Sequence, residues 1–103
     1  MIKIDRKEVF KDEISTGVTL VDFYADWCGP CKMLAPEIEA LSVEMEGKAK
    51  VVKVNVDEQR ELAGEYQVRA IPTLFVIKDG EVKEELVGYQ TKDSLTKALE
   101  RHI

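Results

Sequence analysis

Apolar positions along the chain change period from one stretch to the next, and each change predicts an element. Ile2 to Ile4 reads as a short first strand. Asp5 followed three residues later by Glu8 has the form of a capping box. It predicts a helix through about Ile14, with Val9, Phe10 and Ile14 as its apolar side and Ser15-Thr16-Gly17 as its end. VTLVDFYA (residues 18–25) is almost continuously apolar and rich in β formers. Such a run suits a central strand covered on both faces. Helical spacing takes over across residues 31–46, where Leu34, Ile38, Leu41 and Met45 form one stripe. Pro36 lies inside that pattern and predicts a bend, because it lacks an N–H and crowds the preceding turn.

AKVVKVNVD (residues 49–57) alternates as a strand, with Val52, Val54 and Val56 on one face and Val51, Lys53 and Asn55 on the other. Asp57 is placed to cap a short helix through about Glu65. TLFVIK (residues 73–78) reads as a strand, Asp79-Gly80 as a tight turn, and EVKEELVG (residues 81–88) as the returning strand, with Val82 and Leu86 in weak alternation. Thr91 caps a last helix that buries Leu95, Ala98 and Leu99. The order β-α-β-α-β-α-β-β-α predicts an α/β fold. Early crossovers are parallel, the final hairpin adds an antiparallel edge, and helices cover both faces of a mixed sheet.

The chain has 103 residues, which suits one domain spanning 1–103. Hydrophobic residues make up 45% and charged residues 34%, an ordinary globular balance. A chain this size buries about two-thirds of its unfolded surface and folds without covalent staples. That weakens the case for a purely structural disulfide. The net charge of −5, with no basic patch, argues against nucleic acid as a partner. MIKIDRKEVF lacks the apolar core of a signal peptide, and no apolar run approaches the roughly 20 residues of a membrane span. The expected location is the cytoplasm, with no membrane partner. No repeat, low-complexity tract or linker is evident.

Both cysteines lie in WCGPCK (residues 27–32), two residues apart, where a predicted strand gives way to the long helix. A thiolate at a helix N-terminus meets free backbone N–H groups and the positive end of the dipole, so its pKa falls. Gly29 permits a tight turn, and Pro30 suits a first-turn position that needs no donor. Cys28, nearer the helix end, is expected to be the more exposed and to attack; Cys31, one turn away, resolves the mixed disulfide. A structural zinc site needs four ligands, whereas this chain offers one pair and His102. An inert disulfide closing a two-residue loop adds little stability. Redox exchange is the stronger reading of a two-residue separation at a helix start.

Other residues keep two readings on sequence alone. Asp22 interrupts an apolar strand: it is either a surface-facing edge position or a buried acid/base group whose pKa burial raises. Lys53 is either exposed or a neighbour of that acid. Trp27 is either a core plug or a docking platform. Pro72 reads first as an ordinary trans proline starting a strand.

DFYADWCGPCKMLAP (residues 22–36) together with AIPT (residues 70–73), Gly80 and Gly88 resembles the thioredoxin family over the whole chain. The resemblance implies the thioredoxin fold, a central mixed sheet flanked by helices. It implies that Asp22 is a buried aspartate assisting Cys31, that Lys53 modulates it, and that Ile71-Pro72 is a cis-proline loop beside the disulfide. Ile71 then offers backbone to an extended substrate. Trp27, Gly29, Pro30, Ala70, Val87 and Gly88 border a shallow apolar contact patch. Tyr24 departs from the family's commoner tryptophan, keeping the ring and adding a hydroxyl. Asp26 and Lys32 flank the motif as solvated residues.

The implied function is protein disulfide reduction through Cys28 and Cys31 by a monomer without bound cofactor. The chain has no phosphate-cradling glycine loop. A thioredoxin reductase carrying flavin and NADPH, or drawing on ferredoxin, recharges it, and its clients are oxidised proteins with accessible disulfides. Two rival readings remain at this level: a protein disulfide oxidant or isomerase, and a redox-controlled binding subunit.

Overall fold

In the computed structural model, which describes residues 1–103, the apolar runs become the strands of one five-stranded sheet. The elements follow the expected order: β1 (Ile2–Lys3), α1 (Lys7–Ile14), β2 (Val18–Tyr24), α2 (Gly29–Glu44), β3 (Lys50–Asn55), α3 (Arg60–Glu65), β4 (Thr73–Lys78), β5 (Glu81–Val87) and α4 (Lys92–Glu100). The strand order is β1-β3-β2-β4-β5. β3 pairs in parallel with β1 and β2, whereas β4 pairs antiparallel with β2 and β5. The sheet is therefore mixed, and β2 lies at its centre with every residue buried. That burial is why its sequence shows no alternation.

Each face of the sheet carries two helices. On one, Leu34, Ile38 and Leu41 of α2 and Leu95, Ala98 and Leu99 of α4 pack with Val18, Leu20, Leu74 and Val76. On the other, Phe10 and Ile14 of α1 and Leu62 of α3 pack with Val21, Phe23, Val52, Val54, Phe75 and Ile77. Each fully buried Leu or Ile contributes about 1.5–3 kcal/mol of transfer free energy. The α2 stripe thus anchors the helix that carries the cysteines, and α2 continues through Pro36.

Several local expectations change. Asp5 does not cap α1: the N-cap is Arg6, with no side-chain cap bond, and Lys7 instead pairs with Glu61 and Glu65 to join α1 to α3. Asp57 does not cap α3, whose N-cap is Gln59. Asn55 satisfies that turn, its Oδ1 accepting from the Asp57 and Glu58 amides at 2.9 and 3.2 Å. A bulge in the β4–β5 ladder pairs Val76 with Glu84 but Ile77 with Val82. The extra residue, Lys83, reverses side-chain parity. Val82 is consequently exposed, while Leu86 packs on the α2/α4 core. The Asp79-Gly80 hairpin turn holds, with φ of 51° and 84° as a type I′ turn requires. Thr91 caps α4 as expected, Oγ1 accepting from the Ser94 amide at 3.1 Å.

Candidate active site

β2 ends at Tyr24, and the chain turns through Ala25-Asp26-Trp27 into α2 with Cys28 as N-cap. Gly29 and Pro30 form the first helical turn. Pro30 lacks an N–H where no intrahelical acceptor exists, so nothing is lost. Cys28 Sγ accepts from the Cys31 amide at 3.3 Å, the usual service of an N-cap side chain. The two cysteines are joined as a disulfide, with Cα atoms 5.2 Å apart. Asp26, Gly29, Pro30 and Lys32 are solvated.

Cys28 is not the more exposed cysteine. It is 4% accessible and Cys31 is 7%. A remote loop covers it: the Ile71 carbonyl oxygen lies 3.7 Å from Cys28 Sγ. Ile71 packs half-buried on the cluster of Tyr24, Ala25, Cys28 and Cys31. The Ile71–Pro72 bond is cis and Pro72 is buried. Thr73 Oγ1 donates to the Ala70 carbonyl and closes the loop. Gly88 N–H donates to the Pro72 carbonyl at 2.8 Å, which brings Val87 and Gly88 beside it.

Trp27 is no core plug. It is 69% exposed, and its indole N–H donates to Asp57 Oδ2 at 2.8 Å. Ala70 and Val87 are also exposed. With Ile71 they present apolar surface next to the disulfide. Gly88 has φ +91°, a left-handed conformation natural to glycine, and open space lies where a Cβ would point.

Asp22 lies inside the fold, 4% accessible, on the α2/α4 side of β2. Its Oδ1 has no hydrogen-bond partner. Burial pushes its pKa up to about 6, and the Lys53 ammonium opposes that rise. Lys53 is its neighbour in the β2–β3 register. Lys53 and Tyr24 share with Cys31 the wall of an open cavity of about 220 Å³, which also reaches Lys32 and Ala35. The fold thus places the acid's neighbours and the second cysteine around one solvent-accessible space. The chain has no group of three or more His, Cys, Asp or Glu side chains placed to hold a metal. No helix is long and apolar enough to cross a membrane.

Comparison with known proteins agrees with this geometry. The thioredoxin family profile matches residues 1–101. The thioredoxin of Bacillus subtilis is 53% identical over 94 residues, covering 91% of this chain and 90% of that protein. A Staphylococcus aureus thioredoxin is 48% identical over the same shares. A mutant thioredoxin from Halobacterium salinarum superposes with a TM-score of 0.92 at 43% identity, covering 98% of this chain and 88% of that one.

The chain belongs to the thioredoxin family. It has the thioredoxin fold, and its Cys28–Cys31 pair is the redox-active centre of a protein-disulfide oxidoreductase acting by dithiol–disulfide exchange. One contributor escaped the sequence reading: Asp57, which ties down the Trp27 indole. The signal was Asn55, a strand-end Asn able to close the turn alone, leaving the Asp57 carboxylate free.

Proposed function

We propose that the chain is a general protein disulfide reductase of the cytoplasm, working as a monomeric single domain over residues 1–103. A thioredoxin reductase recharges it with electrons from NADPH through FAD, or from ferredoxin. The observation that carries this reading is Cys28 Sγ at the head of α2, accepting the Cys31 N–H. The same N–H and the helix dipole favour a thiolate at Cys28.

An extended client segment docks across Trp27, Ala70, Ile71, Val87 and Gly88, and the Ile71 backbone pairs with it. The Cys28 thiolate attacks one client sulfur; a Cys28–client bond forms, the client S–S bond breaks, and a client thiolate leaves. Asp22, with a pKa about 6, takes the Cys31 proton. The Cys31 thiolate then attacks Cys28 Sγ, forming the Cys28–Cys31 bond and expelling the second client thiolate. Two electrons pass to the client, and the chain is left oxidised. Lys53 tunes Asp22, and Pro72 fixes the loop that covers Cys28. Gly29 and Pro30, exposed beside Trp27, border the same docking patch.

Trapping and potential test this together. Cys31→Ser is expected to accumulate mixed disulfides with oxidised clients, and the variant lacking both thiols to capture none. Stable capture by the double variant would instead indicate a binding subunit. The Cys28–Cys31 potential is expected near about −270 mV; a value near about −180 mV or above would move the assignment to an oxidant or isomerase.

A further inference from the structure

Lys53 closes no hydrogen bond onto Asp22 Oδ1, although the strand register places the two side by side. The Lys53 Nζ stands instead 4.3 Å from the centroid of the Tyr24 ring. Tyr24 lies two residues beyond Asp22 on the same face of β2, is buried, and pairs with Asn55 in the β3 register. A cation over an aromatic face is attracted by the ring quadrupole, and more strongly where water is partly excluded. Lys53 is half-buried there.

We infer that Tyr24 is a positioning residue for Asp22: its ring face holds the Lys53 ammonium, so the cation acts on the carboxylate as a field and does not close a salt bridge onto it. The inference rests on the role given to Asp22 above. A closed ion pair would stabilise the carboxylate and pull its titration down toward the ordinary range. With the ammonium on the ring, burial dominates and Asp22 stays able to exchange a proton near neutrality. The other groups around Asp22 do not supply this control. β4 sets Leu74 opposite it. α4 contributes Leu95, Ala98 and Leu99 to that face. α2 brings Cys31 and the solvated Lys32, and β2 leads on to solvated Asp26.

Substitutions at Tyr24 and Lys53 and two resonances test the inference. In the unmodified protein, the Lys53 ε-methylene protons are expected upfield of their random-coil position, through the Tyr24 ring current; a random-coil position overturns the inference without any mutation. The Asp22 carboxyl-carbon resonance then reads its titration directly. Tyr24→Leu is expected to lower that midpoint by about one pH unit or more. Tyr24→Phe, which keeps the ring, leaves it in place. In a Lys53→Met background, Tyr24→Leu is expected to produce no such fall. An equal fall there, from water reaching Asp22, overturns the inference, as does an equal fall in Tyr24→Phe. The pH profile of disulfide exchange is recorded in parallel. Should the Asp22 midpoint move as expected while the rate profile stays fixed, the positioning role stands and the proton-transfer role of Asp22 falls.

Discussion

Trp27 and Asp57, from two different crossovers of the fold, are joined by a 2.8 Å hydrogen bond from the indole Nε1 to the carboxylate Oδ2. The ring beside Cys28 is 69% exposed, so core packing does not hold it. The bond to Asp57 therefore fixes the ring's pose before a client arrives. Both partners are solvated, so the bond is worth about 1 kcal/mol or less. Asp57→Ala is expected to raise client KM by up to about fivefold with kcat little changed, since it removes preorganisation of the proposed docking surface and leaves the sulfur chemistry intact. Steady-state kinetics with an oxidised protein client check it. A fall in kcat at unchanged KM would show that the bond serves the chemical step.

The elements that could be read from the sequence were those whose pattern is set by burial over many residues. β2 is apolar throughout because both faces are covered, and the α2 stripe repeats because one face meets the sheet. Single-residue features were harder. Asp57 and Asn55 both suit a turn, and only the position of Trp27 across the site decides which carboxylate or amide is free. The bulge at Lys83 inserts one residue without any composition signal, and it sends Val82 to the opposite face from Leu86. The greater cover of Cys28 comes from Ile71, remote in sequence, so helix position alone suggested the reverse. Asp22 was legible as an anomaly, a carboxylate in an apolar run. Its missing hydrogen-bond partner was not, because that depends on where Lys53 places its ammonium.

The C-terminal end of the chain is tied to the sheet by Glu84. Arg101 donates to both its carboxylate oxygens at 2.9 and 2.7 Å, and His102 Nε2 lies 2.7 Å from Oε2. The Arg101 hydrogen bonds hold the Glu84 carboxyl at about 2, below its ordinary 4.5, and His102 adds to this. A carboxylate lowered by folding stabilises the fold above its ordinary pKa, and that contribution is lost as pH falls through the folded value. The clamp is thus complete above about pH 4.5 and is lost toward about 2. Amide exchange at Arg101 and His102, which donate to Lys97 and Leu99, is expected to gain speed over its intrinsic rate across that window. Glu84→Gln is expected to show the faster exchange already at neutral pH, with disulfide exchange at Cys28 unaffected. Protection that stays constant from pH 5 to 2 would rule the clamp out.

Asp22 carries the opposite sign. Burial, opposed by Lys53, raises its pKa from 3.8 to about 6, so the folded protein holds a proton that the unfolded chain releases between those values. Stability from this group is fully present below the unfolded pKa and is lost as pH rises through the folded one. The gap corresponds to about 3 kcal/mol at pH 7. Asp22→Asn removes the ionisation but keeps a buried polar group whose amide needs partners, which takes back part of the gain. The variant is expected to be more stable than the parent by about 1–3 kcal/mol at pH 7. The difference shrinks as pH falls from about 6 to about 4, as denaturant titration at pH 7 and at about pH 4 would show. The same variant is expected to slow release of the mixed disulfide about tenfold or more, because an amide cannot accept the Cys31 proton. Greater stability with slower turnover marks a group kept at a cost to the fold for its chemistry. A variant less stable than the parent at pH 7 would mean that the carboxylate is satisfied in the folded protein and carries no such cost.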